Sequence, residues 1–268
     1  MRFLEDLDND LRLALLNQLR DLWTHNSTAL EGNTLTLGET AFILSEGLTV
    51  SGKSLQEHQE VAGHARAIEL LYDLLKQDKP ITEKDLFALH QAIQTSTVID
   101  IYQPIGKWKC EPNGTYALTS DNKQTFIDYA MPSDIPALMM EWLTMLNDAL
   151  ALSMNSEMAL AIYSDLHLAF VRIHPFADGN GRMARLVSNL PVLKSGLPPV
   201  LIDRNRRREY LMALSAYDIE VGYAKKGSAL LPDSDLKDGF TDFCHECWQA
   251  SIDLVKAMHE RQRMRNEN

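Results

Sequence analysis

The sequence predicts an all-α fold that carries a single β-hairpin. Apolar residues recur at three- and four-residue spacing over most of the 268 residues, which is the pattern of amphipathic helices. A β-type pattern is confined to residues 106–129, and strands do not alternate with helices elsewhere, which argues against a parallel α/β sheet. The aromatic and aliphatic members of the hairpin flank turn residues 121–123, and they are Trp108, Tyr116, Leu118, Phe126, Ile127 and Tyr129.

The helices follow in chain order from periodicity and end signals. The first has six leucines at helical spacing between Leu4 and Leu22, and Ser54 with Glu57 forms a capping box that opens the third. A proline-containing turn at 132–136 precedes the first helix after the hairpin. Helices are predicted at residues 4–23, 37–45, 54–75, 82–92, 136–152, 155–173, 180–194, 206–220 and 236–262.

Composition narrows the class of protein. The chain is 45% hydrophobic and 24% charged, as in ordinary globular proteins, and its net charge of −11 argues against a nucleic-acid partner. No uncharged run is long enough to span a bilayer, so we expect no membrane segment. The start of the chain turns acidic at once, unlike a cleavable signal, and three cysteines suit a reducing compartment. We therefore expect a cytoplasmic protein.

The segment from His174 to Arg185 concentrates the chemistry of the chain. Pro175 disfavours helical geometry at His174, so the preceding helix should end there and leave the imidazole at the mouth of a loop. A histidine in that position can act as a general base near neutral pH. Asp178 offers the hard carboxylate oxygens that Mg²⁺ prefers.

The second half of this segment has the features of an anion site. Gly179 and Gly181 permit backbone conformations that other residues avoid, and their N–H groups lie at the start of the next helix. Arg182 and Arg185 are three residues apart, on one face of that helix, and both can reach phosphate oxygens. The loop is therefore predicted to hold a polyphosphate beside a base.

The segment resembles the HPFx[D/E]GNGRxxR signature of Fic-domain proteins at every specified position. The resemblance implies a Fic-type helical bundle with the hairpin as a flap, and a protein adenylyltransferase that uses ATP and Mg²⁺. His174 would deprotonate a Ser, Thr or Tyr hydroxyl of a target protein, and Asp178 would hold the metal. The nucleotide phosphates would be held by Gly179, Asn180, Gly181, Arg182 and Arg185. Doc-like phosphotransferases resemble this loop but carry Lys in place of Gly181, which favours nucleotidyl transfer here.

A second resemblance lies near the start of the chain. Ser27 to Gly32 fits the [S/T]xxxE[G/N] inhibitory motif of the same family, placed before the catalytic core. Ser27 and Glu31 are four residues apart, on one face of a predicted helix, and Gly32 is a suitable C′ residue to end it. The resemblance implies that Glu31 pairs with Arg185 in place of the γ-phosphate. In some relatives such a glutamate also supports removal of AMP, which the sequence leaves open here.

The resemblance also implies a division of the chain. Residues 1–54 would hold the N-terminal helices with inhibitory motif 27–32, residues 55–225 the catalytic core, and residues 226–268 a C-terminal helix. That last helix would pack on the core or mediate self-association into a homo-oligomer. The hairpin at about 106–129 would bind an extended segment of the target protein by adding a strand, or would merely cover the core.

Two further positions have a double interpretation. Tyr210 falls where Fic proteins often place an aromatic residue near the nucleotide base, but a core role fits equally. Asp218 falls where several relatives carry Asn, and a carboxylate there accepts but does not donate hydrogen bonds. His167 is expected to be a core histidine.

Two other motifs in the sequence suggest rival sites. Residues 47–54 satisfy the P-loop pattern GxxxxGK[ST], but no convincing strand precedes them, so a loop capped by Ser54 is favoured. Cys244 and Cys247 have CxxC spacing without a second pair, which favours helix packing over a metal site. Two functions stay open: an enzyme held inactive by Glu31, or a nucleotide-binding regulator with little turnover. Transfer of another phosphate-linked group is a further alternative.

Overall fold

A computed structural model describes residues 1–77, 79–94, 101–118 and 123–267. The described residues are mostly helical and include one antiparallel two-stranded sheet, so the predicted all-α fold with a hairpin is confirmed. In chain order the elements are α1 (Asn9–Ala29), α2 (Leu37–Glu46), α3 (Leu55–Lys76), α4 (Glu83–Ile93), β1 (Gly114–Leu118), β2 (Gln124–Asp128), α5 (Ile135–Leu150), α6 (Ser156–Ile173), α7 (Asn180–Val187), α8 (Asn189–Lys194), α9 (Arg207–Val221) and α10 (Leu236–Asn266). Single 3₁₀ turns lie at Arg2–Leu4 and Arg204–Arg206.

Capping explains where several helices begin. The predicted capping box of Ser54 and Glu57 opens α3, and a second one, of Thr36 and Glu39, opens α2. In each box the hydroxyl accepts from the backbone of the glutamate while the carboxylate accepts from the backbone of the cap. Thr82 precedes α4 as its N-cap residue.

The first helix differs from its prediction at both ends. It begins at Asn9 rather than at residue 4, because Asp6 adopts a positive φ of 59° that interrupts any helix there. Phe3 and Leu7 are nevertheless buried, although neither residue lies in an α-helix. The apolar spacing therefore indicates burial at the start of the chain and not an α-helix. The helix also continues past residue 23 to Ala29, which carries the polar residues of the inhibitory motif into its last turns.

The predicted helix 180–194 is two helices. α7 ends at Val187, α8 begins at Asn189, and Ser188 joins them. Pro191 accounts for the break, since it has no N–H to donate to the carbonyl of Val187. The end at Lys194 agrees with the prediction.

The core is built around α6, which is buried along most of its length. Helices α5, α7, α8, α9 and α10 contact α6. α10 inserts Phe240, Phe243 and Trp248 into the same buried cluster, which also contains Leu15 and Trp23 of α1. The C-terminal helix therefore packs on the core, and both terminal regions share one core with the middle of the chain.

The hairpin is shorter than the predicted 106–129. Its strands pair from Gly114 with Asp128 to Leu118 with Gln124, whereas Trp108 lies before the sheet and packs on Phe87. The strands alternate as expected, with Tyr116 and Phe126 in an exposed edge-to-face pair. Most of the predicted turn at 121–123 lies outside the described residues. Both strands contact α9, so the hairpin lies beside the helix that carries Tyr210.

The rival motifs are explained by packing. Residues 47–54 follow a helix, Lys53 donates to the carbonyl of Thr34 at 2.8 Å, and Ser54 caps α3. No strand precedes this loop in the described residues around it, so the P-loop interpretation is wrong. Cys244 and Cys247 are buried free thiols within α10. Among the described residues, no helix is both long enough and apolar enough to cross a membrane.

Candidate active site

His174 ends helix α6 in a left-handed conformation, with φ 53° and ψ 60°. Pro175 explains why α6 ends here, because it disfavours right-handed helical geometry in the residue before it. The left-handed conformation of His174 is the one common at helix C-termini. The His174 ring nitrogen Nδ1 lies 3.2 Å from the carbonyl oxygen of Val171. A carbonyl only accepts hydrogen bonds, so Nδ1 carries the proton of a neutral imidazole and Nε2 keeps its lone pair.

The surroundings of His174 keep its ring neutral and fix its plane. Desolvation, followed by the nearby charge of Lys109, lowers the pKa of His174 to about 3. Tyr129, at the end of β2, stacks on the imidazole with 3.6 Å between ring centroids and 4° between planes. A neutral, oriented imidazole with a free Nε2 lone pair is the form that a general base requires.

The loop after His174 is held by side-chain bonds. Asn180 accepts from the backbone N–H of Phe176 at 2.9 Å and donates to its carbonyl at 2.8 Å. The Asn180 side chain therefore shapes the loop and does not reach outward, so only its backbone N–H is available for an anion. Phe176 is fully buried and stacks on His90, with 3.8 Å between centroids.

The two glycines of the loop serve different purposes. Gly179 has φ +78°, a conformation that side chains disfavour, as expected from the sequence. Gly181 has no positive φ, so the expectation of unusual backbone geometry there is wrong. A Cβ at position 181 would lie 2.7 Å from Glu31 Oε1 and 3.1 Å from an Arg185 nitrogen, so a side chain there would displace the Glu31 carboxylate from Arg185.

Asp178 presents an ionised carboxylate at the start of α7. Partial desolvation acts to raise its pKa, but hydrogen bonds from Gln94 and from the backbone of Gly179, with the charge of Arg182, leave the pKa lowered. Gln94 Nε2 donates to Asp178 Oδ2 at 2.9 Å. His90 donates to the Asp178 backbone carbonyl at 3.0 Å and accepts from the Gly106 N–H, which ties α4 to the loop.

The two arginines point to different neighbours. Arg182 donates to the Ile93 carbonyl at 3.3 Å and lies 3.6 Å from Asp178, on the α4 side. Arg185 lies on the α1 side and is 2% exposed. Both line the same cavity, as their spacing on one helix predicts, although they approach it from opposite sides.

Arg185 is the most heavily bonded side chain of the site. It donates to the hydroxyl and carbonyl oxygens of Ser27 at 3.1 and 2.9 Å, to Glu31 Oε1 at 2.6 Å, and to the hydroxyl of Tyr210 at 3.3 Å. Desolvation alone would lower its pKa, but the charge of Glu31 and the Tyr210 hydroxyl raise it, so Arg185 stays charged. The contact between Glu31 and Arg185 expected from the sequence is present.

Glu31 lies just beyond the end of α1 rather than within it. The last helical residue is Ala29, Leu30 is the C-cap, and Gly32 follows at C″ with φ +105°, one position later than expected. A tight turn from the Glu31 N–H to the Thr28 carbonyl still keeps its side chain near Ser27. The Glu31 side chain is 44% exposed, whereas its partner Arg185 is buried.

Tyr210 joins the site to the core. Its hydroxyl contacts Arg185 and lies 2.8 Å from His167 Nε2, and its ring packs near Phe240 and Phe243. Tyr210 therefore occupies a core position and lines the cavity as well. His167 is buried, as expected of a core histidine.

Two adjoining cavities lie at the site, and His174 lines one of them. One, of about 370 Å³, contains Glu31, His174, residues 178–182, Arg185 and Tyr210 in its wall. The other, of about 510 Å³, lies between the hairpin and α9, and Asp218 is part of its wall. Burial raises the pKa of Asp218 to about 7. The cavities share four wall residues: Tyr129, Val171, Leu211 and Leu214.

Sequence reasoning missed four residues that shape the site. Tyr129, Lys109, Gln94 and His90 contact the loop from the hairpin and from α4. Their positions are set by long-range packing, and no local spacing links them to the loop. The one available signal was Gly106 before Trp108, which marks where the chain turns back toward His90.

Comparison with known proteins gives one family for this chain's relatives. Residues 80–192 match the model of the Fic/DOC family. The chain is 34% identical to protein adenylyltransferase fic-1 of Caenorhabditis briggsae over 75% of its length, and 30% identical to protein adenylyltransferase Fic of Drosophila willistoni over 86%. It covers only 38% and 40% of those two proteins, so it spans about two fifths of the curated relatives it matches.

Solved structures give the same result for the fold. A Fic domain containing signaling protein from Bacteroides thetaiotaomicron superposes with a TM-score of 0.80 at 28% identity, covering 96% of this chain and 93% of the other. Fic-1 from C. elegans superposes with a TM-score of 0.69 at 26% identity, covering 94% of this chain and 66% of the other. The likeness therefore extends beyond the signature loop to nearly the whole described fold.

Proposed function

Since residues 80–192 of this chain form a domain of the Fic/DOC family, we propose that the protein is an adenylyltransferase that transfers AMP from ATP to a hydroxyl of a target protein. One observation carries the proposal. His174 and the start of α7, with Arg182 and Arg185, line the same 370 Å³ cavity.

His174 acts as the general base in this proposal. Its Nε2 takes the proton of a Ser, Thr or Tyr hydroxyl, and the hydroxyl oxygen forms a bond to the α-phosphorus of ATP. The bond between the α-phosphorus and the bridging oxygen breaks, and pyrophosphate leaves with that electron pair. The bond from Nδ1 to the Val171 carbonyl holds the ring as the imidazolium forms.

The start of α7 binds the phosphates. The backbone N–H groups of Gly179, Asn180 and Gly181 lie at the positive end of the helix dipole, which favours anions. Arg182 and Arg185 add two positive charges from opposite walls of the cavity. Tyr210 supports Arg185 through its hydroxyl.

Asp178 fits a Mg²⁺ ion. Its ionised carboxylate lies in the cavity wall beside the start of α7, and Mg²⁺ commonly takes one or two protein carboxylates together with phosphate oxygens. When bound, the ion supplies positive charge that neutralises the phosphates. Gln94 orients the carboxylate through its amide.

The hairpin is the proposed docking site for the target protein. Each strand of a two-stranded sheet has one edge free of sheet partners, and an extended target segment can add to it. Tyr129 directly follows the second strand and contacts His174, so a segment bound along the hairpin would run toward the base. Free thiols at Cys110, Cys244 and Cys247 support a reducing compartment, and we propose the cytoplasm.

Glu31 holds the site in an inhibited state in this proposal. Its carboxylate accepts a hydrogen bond from the Arg185 guanidinium, which the outer phosphates of ATP would need. ATP then binds without its γ-phosphate in the productive position until the pair separates. The same glutamate near His174 leaves open a second activity, removal of AMP from a modified target.

The closed pair also favours the alternative function. If Glu31 stays on Arg185 under all conditions, the protein is a nucleotide-binding regulator with little turnover. Transfer of a different phosphate-linked group is a third possibility, since the loop geometry does not select the nucleotide.

Intact-mass measurement tests the proposal. Wild type, Glu31→Gly, and Glu31→Gly with His174→Ala are incubated with Mg-ATP, alone and with a cell lysate. We expect a gain of one AMP on the protein itself or on lysate proteins with Glu31→Gly, and loss of that gain in the double variant. Parallel incubations with GTP, UTP and CDP-choline test the donor.

Glu46→Gly is the matched control, because Glu46 is an exposed glutamate at the end of α2 and lies outside the wall of the cavity. It should leave activity at the wild-type level. ATP binding without any modification in the Glu31→Gly protein would favour the regulator over the enzyme.

A further inference from the structure

The base of the hairpin is tied to the catalytic loop by a short network. The Lys109 backbone N–H donates to the carbonyl of Pro175 at 2.9 Å, and its ammonium group donates to Asn113 Oδ1. Asn113 in turn donates through Nδ2 to the carbonyl of Phe176 at 3.3 Å. Its own carbonyl accepts from the backbone N–H of Tyr129 at 3.2 Å. We call Lys109, Asn113 and Tyr129 the hairpin strap.

The strap ends on the catalytic base. Tyr129 stacks on the His174 ring with only 4° between the planes, and the Lys109 ammonium lies 5.9 Å from the centroid of the Tyr129 ring. Lys109 is 3% exposed. The described wall of the 370 Å³ cavity contains Tyr129 and His174 but not Lys109, so Lys109 is separated from the nucleotide position.

We propose that Lys109 is a positioning residue for the transfer reaction, acting through Asn113 and Tyr129 to hold the His174 imidazole in one orientation and one tautomer. The inference rests on the proposed function and adds to it the link between the hairpin, where the target would dock, and the base. A target segment bound to the hairpin would then act on the orientation of His174 through the same strap.

The physical case rests on the cost of the buried ammonium group. A lysine almost wholly removed from water loses hydration, and one hydrogen bond to an amide replaces only part of it. Burial accordingly lowers the pKa of Lys109 to about 8. A purely structural contact at this position would be made more cheaply by an apolar side chain.

The charge of Lys109 also has a direct effect on the base. A positive group nearby opposes formation of the imidazolium, whereas the Asp178 carboxylate favours it, and Tyr129 faces the ring without charge. Lys109 therefore helps to keep Nε2 unprotonated before the target arrives. The Nδ1 bond to the Val171 carbonyl selects the tautomer, and the stacked Tyr129 ring keeps that bond in line.

The test uses the full chain with Glu31→Gly and compares Lys109→Met and Lys109→Gln with the control Lys107→Met. Lys107 is exposed and only two residues away, so Lys107→Met removes the same charge at a nearby position of the chain. Long-range proton–nitrogen NMR of the imidazoles at neutral pH reports the His174 tautomer, assigned by its loss in His174→Ala. Steady-state rates at varied ATP give kcat and KM.

The control should show a single Nδ1–H tautomer and unchanged kinetics. Both Lys109 variants should show mixed tautomers at His174 and a kcat lower by about 10- to 100-fold, with the KM for ATP within about twofold because the nucleotide wall is intact. Lys109→Gln keeps a hydrogen-bonding group and serves if Lys109→Met does not fold.

His174 signals and kcat equal to those of Lys107→Met in a folded Lys109 variant would overturn the proposal. The NMR readout needs no turnover, so it decides the positioning role even if the protein proves to be a regulator. If no AMP is transferred but the His174 tautomer still depends on Lys109, only the proposed function is refuted.

Discussion

Removal of the Glu31 carboxylate is expected to tighten ATP binding by about 5- to 30-fold. The carboxylate lies 2.6 Å from the buried Arg185 guanidinium. A hydrogen bond between charged groups is worth about 1.5–3 kcal/mol, and an exposed ion pair about 0.2–1 kcal/mol. Glu31 is 44% exposed, so the pair falls between these cases, at about 1–2 kcal/mol. ATP must overcome that free energy to take Arg185.

Isothermal titration calorimetry measures the effect. His174→Ala serves as the background, so that no transfer occurs, and ATP and AMP are titrated into it with and without Glu31→Gly. AMP has no outer phosphates, so its affinity should stay within about twofold while that of ATP rises. Glu31→Gln, which keeps the size of the side chain but not its charge, should give most of the gain.

Equal gains for ATP and AMP would show that Glu31 acts by obstructing the cavity and not by occupying Arg185. No gain for either nucleotide would contradict the whole argument from the ion pair. The gain should also shrink at high salt, because the Glu31 side of the pair is open to solvent.

Three more predictions follow from single contacts. Gly181→Ala should push the Glu31 carboxylate off Arg185, because its Cβ would lie 2.7 Å from Glu31 Oε1, and should cost at most about 1–2 kcal/mol in chemical denaturation. The cost should vanish in Glu31→Gly; equal costs in both backgrounds would exclude this contact as the cause. Asp218→Asn should stabilise the protein by at most about 4 kcal/mol above pH 7 and by little near pH 4. Burial raises the pKa of Asp218 to about 7 in the folded protein, so the wild type loses stability as the pH rises toward that value. A gain in stability that is independent of pH would contradict the raised pKa. Tyr210→Phe should lower the free energy of unfolding by about 1–3 kcal/mol and weaken ATP binding in the Glu31→Gly form, because Arg185 Nη1 and His167 Nε2 lose their shared hydroxyl. An unchanged melting temperature would argue against both hydrogen bonds.

The local features of this protein were predictable from sequence. Pro175 ends α6 at His174, Ser54 begins α3, and Gly179 adopts a positive φ, because each depends on residues adjacent in the chain. The contact between Glu31 and Arg185 was also expected, although it came from resemblance to a family and not from spacing. Interactions between residues adjacent in the chain, together with the resemblance to a family, were therefore enough to predict the loop and its contact with Glu31.

The remainder depends on distant packing. Periodicity placed the start of α1 too early, because Leu4 and Leu7 pack on the core although both precede the α-helix. No local pattern marks Lys109 or Tyr129, which reach His174 only because the hairpin folds back over the loop. Asn180 was expected to help hold the phosphates, and nothing local in the sequence shows that its side chain forms an internal brace of the loop. Its partner atoms on Phe176 become evident only in three dimensions.

The turn that carries Glu31 is anchored on both sides. The carbonyl of Leu30 accepts from Arg207, and the side chain of Asn33 bonds to the backbone of Glu57 and to Glu60. The backbone beneath the carboxylate is thus fixed, and departure from Arg185 requires only rotation about the bonds of one side chain. Such rotations at a half-exposed residue are complete within nanoseconds. Occupancy of Arg185 therefore re-equilibrates far faster than a catalytic cycle, and activity should follow the prevailing nucleotide concentration without a lag.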